Sequence, residues 1–369
     1  MVVTTLVLGL GSVGVAVYVF ASGGPIAASI SVALAAVSVP LLILVVLWLD
    51  RYEPEPRRYL VAALVWGGTV AAALGVALSL LAARLTGADD ATVAVVWAPV
   101  TEEFGKGLFL VLVVAWRRHQ MHGLLDGIVY AALTGIGFAF TENILYYMAG
   151  LLEGGLPTVT ATFVLRGIVG PFAHPLFTSA IGVGIGIAVA SRSVTVRVLA
   201  PLAGYLVAVG LHALWNGSVV VGGIQGFLAA YLLGMLPVLL LLILLAVWAR
   251  RREARMLTTA LLQAAQMGWI DVAEIPWVAK MSQRVSARKY AQLRGGKPAA
   301  RAVRDYQQAL TEMAFLHNRY TTGNPPSDLN PKMSEIQRRA AAIRPYVILP
   351  PSPPPGSPLL PPFQQISRG

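Results

Sequence analysis

Long apolar runs alternate with short polar connections along this chain, and the pattern predicts an all-α protein that spans a membrane repeatedly. Eight apolar segments stand out, at about 2–20, 27–49, 59–82, 92–115, 123–148, 161–190, 198–220 and 225–249. Each is near the roughly 20 residues a helix needs to cross the hydrocarbon core. The first run has no basic flank and no convincing cleavage motif, so it reads as a retained span and not as a signal peptide. The longest, 161–190, contains Pro171 and Pro175, where a tilt or break is expected.

Beyond 249 the pattern changes. Arg250, Arg251, Arg252 and Arg255 follow the last span, and Met256, Leu257, Leu261 and Leu262 then recur at helical spacing, which predicts an amphipathic helix continuing from it. A second helical stretch, about 299–320, carries Ala300, Val303, Tyr306, Leu310, Met313, Ala314 and Phe315. From Pro345 onward prolines crowd together and no core-forming periodicity remains, so this end is expected to be disordered. The expected organisation is a bundle of about eight transmembrane helices over 1–249, a basic cytoplasmic helical tail over 250–344 and a Pro-rich C-terminus over 345–369.

Charge refines this picture. Arg51, Arg57 and Arg58 follow the second span, Arg117 and Arg118 the fourth, Arg192 and Arg197 the sixth and the arginine cluster the eighth. Alternate connections hold Arg84 with Asp89 and Asp90, then Glu153, then an uncharged Gly/Ser segment, so the positive-inside rule places both termini in the cytoplasm, in a bacterial-type cell membrane. Residues 1–249 contain ten Lys/Arg and ten Asp/Glu, whereas 250–369 contain eighteen and seven. The net charge of +11 therefore lies in the tail, where anionic lipid is the expected counter-surface and nucleic acid is not. Only 12% of residues are charged, against about 25% in a soluble domain. The absence of cysteine excludes disulfides, thiolate catalysis and cysteine-based metal sites.

The candidate chemistry lies in the few ionisable groups at membrane depth, which are costly there and mark function by default. Glu102 and Glu103 sit about ten residues into the fourth span, with Lys106 one turn further on. Lys106 shares a face with Glu102 at i,i+4, so a structural ion pair is the bland alternative. It leaves Glu103 unexplained, and two adjacent carboxylates suit a general acid or base. Glu142 lies in the outer half of the fifth span; its bland reading is an interfacial cap. Asp126, near the start of that span beside His122, reads as a helix-start residue. The sixth span carries Arg166 and His174, and the seventh carries His212 and Asn216 on one face at i,i+4. Residue counting puts Glu102, Glu103, His174 and His212 at similar depths, with Glu142 slightly shallower.

Such a cluster can work without metal, a glutamate taking a proton from water while histidine and asparagine polarise the carbonyl or hold the oxyanion. It can also work with zinc, held by His174, His212 and Glu142, with another glutamate as base. No HExxH motif is present, which favours the metal-free scheme and no cofactor.

At these residues the chain resembles the PrsW family of intramembrane proteases, distantly similar to the CAAX-prenyl-endopeptidase-like and bacteriocin-processing (CPBP) membrane proteins. Glu102-Glu103-Phe104-Gly105-Lys106 matches the E-E-x-x-K signature, and Phe138 through Glu142-Asn143 matches F-x-x-x-E-N. His174 follows in the next span, and His212 with Asn216 matches H-x-x-x-N. The resemblance covers roughly 40–250 and implies a glutamic-type endopeptidase that cleaves a membrane-associated protein. It implies Glu102 or Glu103 as general base, His174 and His212 beside it, and Asn216 as oxyanion donor. Glu142 joins this catalytic set, with Lys106, Phe138 and Asn143 in support. Glu142 stands where the prenyl-endopeptidase pattern has histidine, so that relative's mechanism does not carry over there. Family members linked to signalling cleave anti-sigma factors, which makes such a membrane-protein substrate the expected partner besides the bilayer.

Two other classes fit the same residues: a proton- or cation-coupled transporter, and a non-catalytic scaffold glued by polar groups. Transporters often contain internal repeats, and the glutamate pair has no counterpart in the second half. The hydrolytic reading requires a carboxylate of Glu102 or Glu103 within about 4–6 Å of a histidine nitrogen, closing to hydrogen-bond distance in the active complex.

Overall fold

The computed structural model describes residues 2–51, 54–117, 121, 123–323, 325–326 and 328–351, with the side chains of 2–7 and of Arg117 left aside. Arg118, His122 and most of the Pro-rich C-terminus expected to be disordered therefore lie outside the described residues. Every regular element among the described residues is helical, as the apolar pattern requires.

Among the described residues, five helical stretches are long and apolar enough to cross a membrane: Leu8–Leu49, Arg57–Thr86, Leu124–Ala190, Val194–Val220 and Gly223–Gln266. The protein is an integral membrane protein. These stretches are coarser than the eight expected segments, because Leu8–Leu49 and Leu124–Ala190 each contain two of them. The helix that carries the glutamate pair, Ala98–Arg117, has its charges at Glu102, Glu103, Lys106 and Arg117 and is not among the five.

Within Leu124–Ala190 the chain reverses once, at Gly155, and then runs back along its first limb, Val159 beside Gly150 and Gly182 beside Gly127. The helix Leu124–Phe163 is interrupted at Gly155, whose φ of 66° is open to glycine at no steric cost, with Pro157 just beyond. A wide π turn, Val164–Val169, then ends at Gly170, and a new helix runs over Ala173–Ala190. The break thus falls at Pro171. Pro175 lies in the first turn of the new helix, where its missing N–H has no intrahelical acceptor to lose. His174 is consequently a first-turn residue next to a break.

The chain divides into two compact units, one formed by Met1–Asp50 and Pro54–Ala249 and the other mainly by the chain from Arg250 on. In the first, Leu124–Phe163 is the central helix, packed most extensively against Ala173–Ala190, which in turn packs on Val194–Val220. The close approach has a glycine at its heart: a Cβ on Gly135 would stand 2.7 Å from the His174 carbonyl oxygen.

In three of the four π turns among the described residues of this unit, a neighbouring side chain takes up a backbone carbonyl. Thr141 donates to Gly68 O at 2.6 Å in the turn Gly67–Ala71. Asn216 donates to Ala94 O at 2.8 Å in Val93–Trp97, and Tyr231 donates to Val169 O at 3.0 Å in Val164–Val169.

The second unit has its own core, in which Leu257 and Leu261 pack with Trp277, Val303, Tyr306, Leu310 and Met313. The helix expected near 299–320 is part of Met281–Thr321, interrupted at Gly295–Gly296. Leu257 and Leu261, expected on an amphipathic surface, are fully buried in this core. A buried Glu274 accepts from the Tyr306 hydroxyl at 2.5 Å and pairs with Arg344.

Candidate catalytic centre

Glutamate, lysine and histidine side chains from four helices of the first unit converge. Ala98–Arg117 supplies Glu102, Glu103 and Lys106; Leu124–Phe163 supplies Phe138 and Glu142; Ala173–Ala190 supplies His174; Val194–Val220 supplies His212. Glycine again permits the approach: a Cβ on Gly75 would lie 2.8 Å from Glu102 Cγ.

Glu103 is saturated. Its Oε1 accepts from Lys106 Nζ at 2.7 Å and from His212 Nδ1 at 3.1 Å, and its Oε2 accepts from the Thr178 hydroxyl at 3.1 Å. Glu103, Lys106 and His212 are sealed from solvent. The ion pair expected between Glu102 and Lys106 at i,i+4 is the looser of two: Lys106 Nζ is 3.7 Å from Glu102 Oε2. The i,i+3 partner wins because Glu103 is the one anchored by further donors. Lys106 Nζ also lies 3.7 Å from the Phe138 ring centroid, a cation–π contact that lets the charge rest against an apolar wall.

His174 is held from both sides. Lys106 Nζ is 3.1 Å from its Nδ1, and its Nε2 is 2.6 Å from Glu142 Oε2. An ammonium has only donors, so Nδ1 accepts and the ring proton sits on Nε2, donated to Glu142. Glu142 in turn pairs with Arg166, whose Nε donates to Asn143 Oδ1 at 2.8 Å and whose guanidinium lies 4.1 Å from the Tyr146 ring centroid. Glu142 is therefore a member of the cluster and not an interfacial cap.

Each histidine thus gives one nitrogen to a carboxylate and turns the other toward Lys106 or Glu102. For His212 that nitrogen is Nε2, 3.7 Å from Glu102 Oε2. With Nδ1 protonated toward Glu103, Nε2 is an acceptor, so two acceptors face one another. Glu102 Oε2 is the one buried carboxylate oxygen without a hydrogen-bond donor among the described residues. The shortest carboxylate–imidazole distances are tighter than the roughly 4–6 Å that hydrolysis requires of the resting site.

Two expected site residues stand differently, while Asp126 is the helix-start residue it was read as. Asn216, expected as oxyanion donor, spends an amide N–H on Ala94 O in the π turn that leads into the glutamate helix. Asp126 caps its helix start, accepting from Gly123 N at 3.3 Å. Glu142, expected in a zinc set with the two histidines, is instead the hydrogen-bond partner of His174. The compact set is Glu102, His174 and His212, each offering one ligand atom within 4.8 Å of the others. Sequence reasoning missed Thr178, although it lies one helical turn beyond His174 and so shares its face.

Glu102 and His212 offer free acceptors to a divalent ion, and His174 would join them only by giving up the Lys106 donor on its Nδ1. Two histidines and one carboxylate are a common catalytic zinc set that leaves a position open for water. Facing acceptors at Glu102 and His212, and a carboxylate on the far nitrogen of each histidine, are further marks of such a site.

The described residues thus form a membrane-embedded helical bundle around a buried carboxylate–histidine centre. Residues 55–242, just over half of the chain, match the PrsW family of intramembrane metalloproteases, and the chain belongs to that family. It is similar to protease PrsW of Geobacillus kaustophilus, with 31% identity over 133 residues, 36% of this chain and 55% of the relative. It is also similar to protease PrsW of Shouchella clausii, with 26% identity over 157 residues, 42% of this chain and 64% of the relative. The chain thus spans between half and two thirds of these curated relatives. No solved structure matches it. The family match favours hydrolysis over the transport reading of the same residues.

Proposed function

We propose that this protein is an intramembrane endopeptidase that hydrolyses a peptide bond of a membrane-associated protein, with Glu102 as the group that activates water. The observation that carries this is the donor-free Oε2 of Glu102 facing the acceptor Nε2 of His212. Two acceptors turned to one point hold a water by both protons and leave its lone pair free for a carbonyl carbon. Glu102 takes the proton as the bond forms and passes it to the leaving amine. Glu103, committed to Lys106, His212 and Thr178, orients His212 and anchors Lys106. Lys106 gives a fixed positive charge in a water-poor site, where charge developing on the carbonyl oxygen is strongly stabilised. A zinc-class ion held by Glu102, His174 and His212 would add Lewis-acid polarisation of water and carbonyl.

The substrate class follows from the site's burial among spanning helices: a membrane protein, with an anti-sigma factor as the signalling example. The test is membrane proteomics of cells expressing wild type or Glu102→Gln at equal levels. A membrane protein that accumulates in full-length form only with Glu102→Gln, and is cleaved by purified wild type, supports the reading and names the substrate. Identical membrane proteomes, with no cleavage of any candidate by purified protein, would reject it.

A further inference from the structure

Arg166 has no part in the chemistry above, yet it is committed to the site by three contacts with one stretch of the central helix. It pairs with Glu142, donates through Nε to Asn143 Oδ1 at 2.8 Å, and lies over the Tyr146 ring. Those partners fall at i, i+1 and i+4, so the planar guanidinium is gripped by one face of a helix, a geometry that lysine's point charge does not reproduce. Arg166 itself comes from the π turn Val164–Val169, a local widening of the kind found at functional positions. Its side chain is 13% exposed and that of Glu142 is 17%, against 0% for Glu103 and Lys106.

We infer that Arg166 is a positioning residue for the reaction proposed above: it holds Glu142 against His174 Nε2 and so keeps the imidazole turned with Nδ1 toward Lys106. Glu142 Oε2 receives both the Arg166 guanidinium and the His174 ring N–H. Without the arginine, Glu142 loses the contact that fixes its direction and keeps only the histidine it is meant to orient. The ring can then turn away from the Lys106 ammonium, and the Nε2–H form that this donor fixes is no longer the single one. Outer partners of this type typically change function by about 10- to 100-fold when removed.

The inference rests on the hydrolytic reading for its kinetic consequence but not for its structural one, so two measurements separate the failures. Full-length protein with 15N-labelled histidine is placed in lipid bilayers, and the His174 ring signals are assigned by their loss in His174→Gln. Wild type shows a single Nε2–H form; Arg166→Ala shows mixed tautomers, and Arg166→Lys keeps more of the wild-type form. In cleavage assays on the substrate, Arg166→Ala lowers kcat about 10- to 100-fold with little change in KM, and Arg166→Lys recovers part of the loss. The double variant Arg166→Ala with Glu142→Gln is no better than Arg166→Ala alone. An unchanged His174 tautomer in Arg166→Ala overturns the inference, whatever the protein's activity. Full recovery in the double variant overturns it too, since Arg166 would then only neutralise Glu142. If Arg166→Ala fails to fold, the Arg166→Lys tautomer and kcat decide: both identical to wild type would contradict the requirement for a planar fork. A wild type with the expected tautomer but no proteolytic activity rejects the proposed function alone.

Discussion

The two histidines of the centre are held by arms of the same design but different enclosure. On one arm His212 donates to Glu103, which Lys106 and Thr178 anchor, and the carboxylate and lysine are sealed completely. On the other, His174 donates to Glu142, which Arg166 anchors, and both charged groups keep partial exposure. Glu102 lies between them with an oxygen neither arm supplies with a donor. The difference separates two jobs that four charged groups could otherwise share. A sealed arm cannot tolerate loss of a partner, because an unpaired buried charge has no water to turn to. The half-open arm, with its charged pair less completely enclosed, is the more tolerant of the two.

The largest expected effect comes from breaking the sealed arm. Glu103→Ala leaves the buried Lys106 charge only its looser pair with Glu102 and should destabilise the protein by about 3–5 kcal/mol, read as a lowered unfolding midpoint in detergent. Glu142→Ala leaves Arg166 able to reach solvent and should destabilise clearly less. Equal losses from the two variants would erase the comparison. Thr178→Val comes next: it removes the donor on Glu103 Oε2 and should destabilise by about 1.5–3 kcal/mol. The same unfolding measurement checks it, and a null effect would mean that Oε2 needs no donor. Gly135→Ala tests the backbone that carries His174. Its Cβ would meet the His174 carbonyl, so strain of about 1–3 kcal/mol and reduced cleavage are expected together. The smallest effect belongs to Asn216. As the partner of Ala94 O it should contribute about 0.5–1.5 kcal/mol, with kcat little changed in Asn216→Ala. A loss of about 10²–10³ in kcat with unchanged stability would restore the oxyanion role.

Much of this was legible in the sequence because the membrane makes charge conspicuous. Glu102, Glu103, Glu142, His174 and His212 stand out in apolar runs, and their similar depths already implied convergence. What hydropathy could not show was pairing. Glu102 and Glu103 both reach Lys106 along a helix, at i,i+4 and i,i+3, and only Thr178 and His212 from other helices decide which is anchored. The choice of Glu102 over Glu142 beside the two histidines likewise depends on Arg166, visible as a charge but without a partner until the chain folds. The number of spans was blurred for a related reason. Gly155 breaks a helix through its φ and leaves no mark on hydropathy, and Ala98–Arg117 carries the charges that make it functional. Asn216 shared the His212 face as expected, but a π turn, invisible in sequence, offered its amide a free carbonyl first.

The central claim is that Glu102, the carboxylate left without a donor, activates the water. The direct measurement is single-turnover cleavage of the membrane substrate by purified protein in liposomes, wild type against Glu102→Gln, with unfolding midpoints recorded on the same preparations. The account predicts a loss of about 10²–10⁴ in rate with an unfolding midpoint close to wild type, since Glu102 Oε2 makes no hydrogen bond and only the looser ion pair with Lys106. Cleavage by Glu102→Gln at the wild-type rate would contradict it.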